Sequence, residues 1–309
     1  MDTFKDTDRI LIVGGTGFIG THLAKRCLKH TQFVTCFSLT GDRKALPVNM
    51  KFVHADISDK NQLQSALHDK SFDYVFNLSG YIDHTPYFKG GRKLIESHFL
   101  GLMNLIDCLD KESLKGFVQI GSSDEYGSAL APQKESMREK PISPYSLAKT
   151  ATSHFIRMLS LTEGFPGVVL RFFLVYGPGQ DDKRLLPYVI KCCLKDKEFN
   201  ASLGEQLRDF CYVEDVVDAM IMAVLSSEAK GHIINIASGI PVFIRGVIEK
   251  VVEKTGGGRP LWGAVPYRQG ENMRLYADIS LAKSLLKWEP HTEIKSGLDK
   301  TITYYRQLH

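Results

Sequence analysis

A glycine-rich turn between the first predicted strand and the first predicted helix restricts the fold more than any other feature. Ile10–Val13 is a continuous apolar run, as in a parallel strand buried on both faces, and Phe18–His30 has helical spacing of its apolar residues. Between them, Gly14 permits a tight turn, Gly17 lets the backbone approach a pyrophosphate, and Gly20 lets the helix pack closely. The helix N-terminus then offers N–H groups to phosphates. The turn therefore predicts a site for a dinucleotide cofactor.

Strand-like and helix-like segments continue to alternate through the first half of the chain. The further predicted strands are Phe33–Phe37, Phe52–His54, Tyr74–Leu78, Gly116–Ile120 and Val168–Phe172. The predicted helices between them are Lys60–His68, Lys93–Leu109 and Tyr145–Leu161. This alternation predicts an α/β fold with a Rossmann doubly wound parallel sheet.

After about residue 175 the alternation loosens. Short strands such as Ile233–Ile236 mix there with the predicted helices Val213–Leu225, Ile244–Lys254 and Ser296–Tyr305. We predict that residues 1–175 form an NAD(P)-binding Rossmann domain, with contributions from later segments. Residues 176–309 are predicted to form a smaller C-terminal α/β lobe that binds the substrate.

The composition excludes several other classes of protein. The 309 residues include 39 basic and 35 acidic side chains, so the formal net charge is only +4. No block of Lys or Arg accompanies that charge, and neither nucleic acid nor a membrane is expected as a partner. The six cysteines show no C-x-x-C spacing, so we expect structural thiols in a reducing compartment and no metal site. The polar, acidic N-terminus is unlike a signal peptide, and a cytoplasmic protein is expected.

The end of the second predicted strand indicates which cofactor the turn would bind. NAD enzymes usually have Asp or Glu there, as an acceptor for the adenosine ribose 2′-OH, whereas this chain has Ser38. Thr40, Arg43 and Lys44 follow, and hydroxyl groups with nearby cations suit a 2′-phosphate. NADP is therefore favoured over NAD. Asp56, after the third strand, is expected to accept a hydrogen bond from the adenine amine, with a helix N-cap as the alternative.

A Tyr-x-x-x-Lys motif begins a predicted helix. Tyr145 and Lys149 lie one helical turn apart, on the same face. A phenol has a pKa of about 10, so it acts as an acid or base near neutrality only where positive charge stabilises the phenolate. Lys149 and a nicotinamide supply such charge, and Lys149 can also hold the nicotinamide ribose. Tyr145 is therefore a candidate acid or base, although the motif by itself recurs by chance in many helices.

A second polar stretch, Gly121-Ser-Ser-Asp-Glu-Tyr-Gly127, follows the strand predicted to end at Ile120. Together with the glycine turn and the Tyr145/Lys149 pair, it resembles the extended short-chain dehydrogenase/reductase family of nucleotide-sugar epimerases and dehydratases. The resemblance extends over nearly the whole chain, through Asp56, Arg171-Phe-Phe-Leu-Val-Tyr-Gly-Pro-Gly-Gln180, Arg208-Asp-Phe-Cys-Tyr-Val-Glu-Asp215, Arg268-Gln-Gly-Glu271 and Ala277-Asp-Ile279.

The resemblance implies roles for the residues after that strand. Ser122, four residues before Tyr126, would hydrogen-bond the C4 oxygen of the sugar alongside Tyr145. Related 4,6-dehydratases carry Glu at the position of Asp124, and many have Asp before it, where this chain has Ser123. The predicted catalytic residues are Ser122, Ser123, Asp124, Tyr145 and Lys149.

Within the family, the pattern is most similar to reductases of the GDP-4-keto-6-deoxymannose type. It predicts NADPH-dependent reduction of a nucleotide-linked 4-keto-6-deoxyhexose at C4, with Tyr145 as proton donor. A nucleotide-sugar epimerase, or a 4,6-dehydratase that uses Asp124, is the alternative. An NADP sensor without catalysis conflicts with the intact catalytic residues. Two positions depart from the family pattern, because Leu174 and His98 stand where many relatives have Asn.

The resemblance also predicts binding residues and assembly. The predicted cofactor-binding residues are Gly14, Thr16, Gly17, Phe18, Ile19, Gly20, Ser38, Thr40, Arg43, Asp56, Ile57, Leu78, Ser79, Gly80, Tyr145 and Lys149. A nucleotide-diphosphate sugar is the expected substrate, and the guanidinium groups predicted to bind it are those of Arg184, Arg208 and Arg268. A homodimer is expected through the helices Lys93–Leu109 and Tyr145–Leu161, which carry more apolar residues than one buried stripe needs.

Overall fold

A seven-stranded parallel sheet forms the centre of the protein. The structure is a computed structural model, and it describes residues 3–39, 46–47, 50–267 and 270–308. The strands in chain order are β1 Ile10–Val13, β2 Val34–Ser38, β3 Lys51–His54, β4 Tyr74–Asn77, β5 Gly116–Ser122, β6 Gly167–Phe172, β7 Leu174–Tyr176, β8 Glu198–Ala201, β9 Leu207–Tyr212, β10 Ile233–Ile236, β11 Pro241–Phe243, β12 Arg259–Trp262 and β13 Arg274–Leu275. The large sheet has the order β10-β6-β5-β4-β1-β2-β3, and each neighbouring pair is parallel. The predicted Rossmann doubly wound α/β fold is confirmed.

Helices cover both faces of this sheet. In chain order they are α1 Phe18–Cys27, α2 Lys60–Leu67, α3 Arg92–Ile95, α4 Gly101–Cys108, α5 Pro144–Glu163, α6 Leu185–Leu194, α7 Val213–Leu225, α8 Ile244–Thr255 and α9 Ile294–Gln307. A π-helical segment, Glu96–Leu100, joins α3 to α4, so the predicted helix Lys93–Leu109 has a change of winding in its middle. Among the helices of the described ranges, none has the length and hydropathy needed to cross a membrane.

The strand pleat divides the large sheet's side chains between two cores. Ile10 and Ile12 belong to the core that also contains residues of α1 and α7. Leu11 and Val13, the alternate residues of the same strand, belong to the core that contains residues of α2, α4 and α5. Because both faces of β1 are covered, the strand is apolar throughout, as the sequence pattern indicates.

Two smaller sheets are formed mainly by strands that follow β6. Strand β9 pairs with β7, β11 and β13, and β8 pairs with β12. Their core includes side chains of α6, α8 and α9. Strand β10 forms the edge of the large sheet beside β6, so its predicted place in the smaller lobe is wrong; all four of its residues are buried there. The domain boundary between residues 175 and 176 stays a prediction.

The apolar residues proposed for a dimer interface are partly used inside the chain. Leu102, Leu105 and Ile156 are buried in the core beneath α4 and α5. Leu100 and Met158, in contrast, are 46% and 42% exposed. The homodimer stays a prediction.

A buried carboxylate connects the smaller sheet to two other segments. Asp209 on β9 is fully buried, and it accepts hydrogen bonds from the Ser238 N–H at 2.7 Å and the Ser238 hydroxyl at 2.6 Å. It also accepts the N–H groups of Gly239 at 3.0 Å and Ala277 at 3.3 Å. These bonds tie β9 to the segment after β10 and to the segment after β13.

Replacement of Asp209 by alanine should lower the free energy of unfolding by about 3 kcal/mol, because the buried N–H donors lose their acceptor. Asp299→Ala is the control, since that side chain is 56% exposed. Loss of its surface ion pair with Lys254 should cost less than about 1 kcal/mol. Urea unfolding followed by circular dichroism measures both. Equal losses in the two variants would contradict the role given to Asp209.

Candidate active site

The glycine-rich turn brings β1, β4 and α1 into close backbone contact. Gly14 has a φ angle of +80°, and a Cβ atom there would lie 2.8 Å from the Leu78 carbonyl oxygen at the end of β4. A Cβ atom on Gly20 would lie 2.5 Å from the Gly14 carbonyl oxygen. A larger residue at either position would therefore separate elements that the site requires to be adjacent.

The start of α1 suits a pyrophosphate. Gly17 is the N-cap of α1, and no side chain among the described residues caps this helix end. Apart from its chain neighbours, the described residues place only one atom, the Gly14 carbonyl oxygen at 3.2 Å, within 4 Å of a Cβ atom on Gly17. A phosphate can therefore approach the backbone closely, and the N–H groups of the first turn, which includes Phe18 and Ile19, favour an anion. These residues fit a dinucleotide cofactor, and their binding role stays a prediction.

The residues predicted to choose between NADP and NAD are only partly described. The hydroxyl groups of Thr16 and Ser38 lie 2.6 Å apart and share a hydrogen bond. Thr40, Arg43 and Lys44 lie outside the described residues. The preference for NADP therefore stays a prediction at this point.

Asp56 makes a local turn and does not cap α2. Its carboxylate accepts hydrogen bonds from the Ser58 N–H at 2.8 Å and the Ser58 hydroxyl at 2.7 Å. Asp59 is the N-cap of α2, so the alternative of a helix cap at Asp56 is wrong. Ile57 is buried beside Gly101, and a Cβ atom on Gly101 would lie 2.8 Å from the Ile57 side chain. Contact of Asp56 with adenine stays a prediction.

The end of β5 turns sharply at Ser122. The Ser122 hydroxyl accepts the Asp124 N–H at 3.2 Å, and the Ser122 N–H donates to the Glu125 carboxylate at 2.7 Å. These two bonds form a capping box that starts the 3-10 turn Ser123–Tyr126. Ser123 is buried, with 4% exposure, whereas one third of the Asp124 side chain is exposed. Asp124 is therefore open to a substrate, whereas the adjacent acid, Glu125, is fully buried.

The beginning of α5 places Tyr145 against Ser122. Ser143 caps the helix and Pro144 occupies its first turn, which fixes where α5 starts. Burial raises the pKa of the Tyr145 phenol above its ordinary value, while hydrogen bonding to the Ser122 side chain and the charge of Arg184 lower it.

Lys149 lies one turn further along α5 and is also buried. Its Nζ donates to the Ile120 carbonyl oxygen at 2.9 Å and lies 6.0 Å from the centroid of the Tyr145 ring. Burial lowers the pKa of Lys149 to about 8, and the charge of Glu125 opposes this effect. Near neutral pH the amine therefore remains mostly protonated and stabilises a phenolate on Tyr145.

His98, which the sequence analysis marks as a departure from the family pattern, is buried against Tyr145. The two rings are 5.3 Å apart, edge to face. Burial, together with the charge of Lys149, lowers the pKa of His98 to about 3, so the ring is neutral. Its Nε2–H donates to the Tyr81 carbonyl oxygen at 3.0 Å. The ring also explains Gly80, where a Cβ atom would lie 2.1 Å from the His98 ring.

Sequence reasoning missed His84. Its ring lies 5.8 Å from that of Tyr145, edge to face, and its Nε2 lies 3.6 Å from the Asp124 carboxylate. The available signal was its position shortly after β4, because the carboxyl ends of β1, β4 and β5 are adjacent in the sheet. Ser79, also after β4, donates its hydroxyl to Asn77 at 2.5 Å.

The predicted substrate-binding arginines have different surroundings. Arg208 is buried, donates to the Leu207 carbonyl oxygen at 2.9 Å and pairs with Glu271. Arg184 is exposed at the start of α6, yet its charge acts on Tyr145. Arg268 lies outside the described residues. The substrate roles of the three arginines stay predictions.

The arrangement supports proton transfer at an oxygen held between Ser122 and Tyr145. Tyr145 can accept or donate the proton, Lys149 stabilises its ionised form, and Ser122 can hydrogen-bond the same oxygen. The glycine turn and this cluster lie at the carboxyl edge of one sheet, where open α/β sheets bind ligands. Within the ranges described above, no group of three or more His, Cys, Asp or Glu side chains could hold a metal ion.

Comparison with known proteins agrees with this geometry. Residues 10–237 match the NAD dependent epimerase/dehydratase family. The dTDP-glucose 4,6-dehydratase of Salmonella typhimurium is 28% identical, over 96% of this chain and 92% of the relative. The UDP-glucose 4-epimerase of Thermotoga maritima, solved with UDP-glucose, has a TM-score of 0.90 and 26% identity, covering 97% of this chain and 99% of that structure. The UDP-glucose 4-epimerase of Thermus thermophilus, solved with NAD, has a TM-score of 0.86 and 25% identity. The match covers 96% of this chain and 99% of that structure.

The chain belongs to the NAD dependent epimerase/dehydratase family, because the family model matches well over half of its length. The predicted membership is thus confirmed. The narrower resemblance to reductases of the GDP-4-keto-6-deoxymannose type has no support in these relatives, which are named as epimerases and dehydratases.

Replacement of Tyr145 by phenylalanine should abolish turnover and leave cofactor binding nearly intact, because the phenol hydroxyl moves the proton while Lys149 remains. General acid–base groups contribute roughly 10²–10⁴-fold to rate. Tyr188→Phe, on the half-exposed outer side of α6, is the control and should retain full activity. Steady-state rates and cofactor titration measure both variants. Retention of more than about a tenth of the rate in Tyr145→Phe would remove Tyr145 from the mechanism.

Proposed function

We propose that the protein is a nucleotide-sugar 4-epimerase. The observation that carries the proposal is the buried cluster of Ser122, Tyr145 and Lys149 beside the glycine turn. A nicotinamide cofactor bound at that turn supplies the hydride acceptor and donor for such chemistry. Similarity to UDP-glucose 4-epimerases over almost the whole chain supports this reaction.

The residues of the cluster divide the proton chemistry between them. A 4-epimerase oxidises C4 of the sugar to a ketone and reduces it again from the opposite face. Tyr145 accepts the C4 hydroxyl proton in the first half of the reaction and returns it in the second. Ser122 hydrogen-bonds the same oxygen throughout, and the Lys149 ammonium stabilises the phenolate between the two transfers.

A nucleotide-sugar 4,6-dehydratase is the second candidate, and Asp124 favours it. One third of its side chain is exposed, and its charge raises the pKa of Tyr145. A carboxylate next to the C4 site could exchange the protons needed to eliminate water across C5 and C6. The buried Ser123, where many dehydratases have an acid, weighs against this reaction.

Reaction products distinguish the three possibilities. The protein is incubated with cofactor and with hexoses linked to UDP, dTDP or GDP, and the sugars are identified by NMR. An inverted C4 without net change in the cofactor supports the epimerase. A 4-keto-6-deoxy product indicates the dehydratase. Stoichiometric loss of NADPH with a 4-keto-6-deoxy substrate would instead support the reductase that the sequence predicts.

The nucleotide diphosphate is proposed to bind beside Arg184 and Arg208. The charge of Arg184, at the exposed start of α6, lowers the pKa of Tyr145, and this effect supports a place for Arg184 at the substrate site. Arg208 is held by Glu271, which limits the freedom of its guanidinium group. Both groups can pair with phosphate oxygens.

The cofactor is proposed to be NAD, in place of the NADP that the sequence favours. Support comes from the Thermus thermophilus epimerase, which was solved with NAD. NAD should bind about tenfold more tightly than NADP in isothermal titration, and Ser38→Asp should widen the difference because a carboxylate repels the 2′-phosphate. Tighter binding of NADP by the unaltered protein would restore the original prediction.

Asp124→Asn should separate the epimerase from the dehydratase. In an epimerase Asp124 contacts the sugar without exchanging a proton, and asparagine keeps most hydrogen bonds, so kcat should fall only about tenfold. In a dehydratase the variant should stop after oxidation of C4 and leave reduced cofactor on the enzyme. A loss beyond about a thousandfold with such accumulation would contradict the epimerase. Single-turnover absorbance of the reduced nicotinamide records both outcomes.

A further inference from the structure

His84 lies in a segment that the local structure holds in place. The neighbouring Asp83 carboxylate accepts the Thr85 N–H and the Thr85 hydroxyl, both at 2.7 Å. Gly91 packs against both this segment and the start of α5, since a Cβ atom there would lie 2.3 Å from the Thr85 carbonyl oxygen and 2.8 Å from Pro144. His84 is therefore positioned against the helix that carries Tyr145.

The imidazole of His84 contacts two groups of the candidate site. Its Nε2 lies 3.6 Å from Asp124 Oδ2, and its ring lies edge-on to Tyr145 with an interplanar angle of 87°. The side chains of His84 and Asp124 are 43% and 33% exposed, whereas Tyr145 is buried. The pair thus forms the part of the cluster that an entering substrate can reach.

Asp124 is placed to touch the sugar beside its reacting carbon. Its backbone N–H donates to the hydroxyl of Ser122, and its charge raises the pKa of the Tyr145 phenol. A carboxylate near this position accepts hydrogen bonds from a sugar hydroxyl, provided that its side chain is held in one orientation. A separation of 3.6 Å is longer than a direct hydrogen bond, but such contacts often tighten when substrate binds.

We propose that His84 is a positioning residue of the sugar site, which holds the Asp124 carboxylate beside Tyr145 so that it binds the sugar hydroxyl next to the reacting carbon. The inference rests on the proposed function, because it takes the C4 oxygen to lie between Ser122 and Tyr145. His84 acts through Asp124 in this arrangement. Its effect must therefore disappear when Asp124 loses its charge.

The test is a double-mutant cycle on binding. The affinities of UDP, dTDP, GDP and their glucose or mannose conjugates are measured by isothermal titration for the unaltered protein, His84→Ala, His84→Gln, Asp124→Asn and both double variants. His84→Ala should weaken the sugar conjugate about tenfold and leave the nucleoside diphosphate within about twofold. His84→Gln should retain most of the affinity, because its amide N–H replaces Nε2–H as a donor to the carboxylate.

In the Asp124→Asn background, neither substitution of His84 should weaken the conjugate further. His68→Ala is the matched control. It removes another imidazole–carboxylate pair, with Asp69 at 2.9 Å, from the C-terminal end of α2. The control should bind every ligand like the unaltered protein.

Three results would overturn the positioning role. They are equal losses for nucleoside diphosphate and conjugate, a loss in His84→Gln as large as in His84→Ala, and a further loss in the Asp124→Asn background. If His84→Ala is unfolded, His84→Leu, which keeps the volume of the side chain but has no donor, takes its place with the same expected loss. Failure of the proposed function differs, because the unaltered protein would then bind no sugar conjugate more tightly than its nucleoside diphosphate, which overturns both proposals.

Discussion

The buried ion pair between Glu125 and Arg171 holds together the elements on which the candidate site depends. The Glu125 Oε2 atom lies 2.9 Å from Arg171 Nε and 2.8 Å from Nη2, and neither side chain is exposed. The same carboxylate accepts the N–H of Ser122 at the end of β5 and the hydroxyl of Ser153 on α5. One side chain therefore fixes β5, β6 and α5 relative to each other. The separation of Ser122 from Tyr145 depends on it.

A buried ion pair of this kind fixes the relative positions of its elements more than it raises the free energy of unfolding. Desolvation of two charges offsets much of their attraction, whereas removal of one partner leaves an uncompensated buried charge at a cost of about 3–5 kcal/mol. Here the charges gain further partners, because Arg171 also pairs with Glu139 and its guanidinium lies 4.7 Å from the Tyr126 ring centroid. The structure therefore tolerates few alternative arrangements at the end of β5. We interpret this constraint as the reason that Glu125, the second acid of the polar stretch Gly121–Gly127, faces the interior.

Burial also determines which side chains around Tyr145 are charged. Lys149 remains mostly protonated near neutrality, because the Ile120 carbonyl and the Glu125 charge partly replace its hydration. His98, buried in the same place, stays neutral because burial and the charge of Lys149 outweigh its hydrogen bond to the Tyr81 carbonyl oxygen. The phenol thus has one buried positive neighbour. Asp124 and His84, in contrast, keep contact with solvent where substrate enters.

The sequence by itself determined the parallel sheet, the glycine turn and the Tyr145–Lys149 pair. Each of these is encoded in a local pattern: an apolar run, a glycine spacing, a helical turn. The resemblance to the family, and not a local pattern, added Ser122 to that pair. Tertiary structure alone decided that Ile233–Ile236 joins the large sheet, that Asp59 and not Asp56 caps α2, and that His84 reaches Asp124. The composition of an apolar strand does not show which of two sheets it joins. Either of two nearby aspartates can cap the same helix, and the path of the backbone determines which one does. The partner of a polar side chain is set by which strand ends the sheet order brings together, and no local pattern records that order.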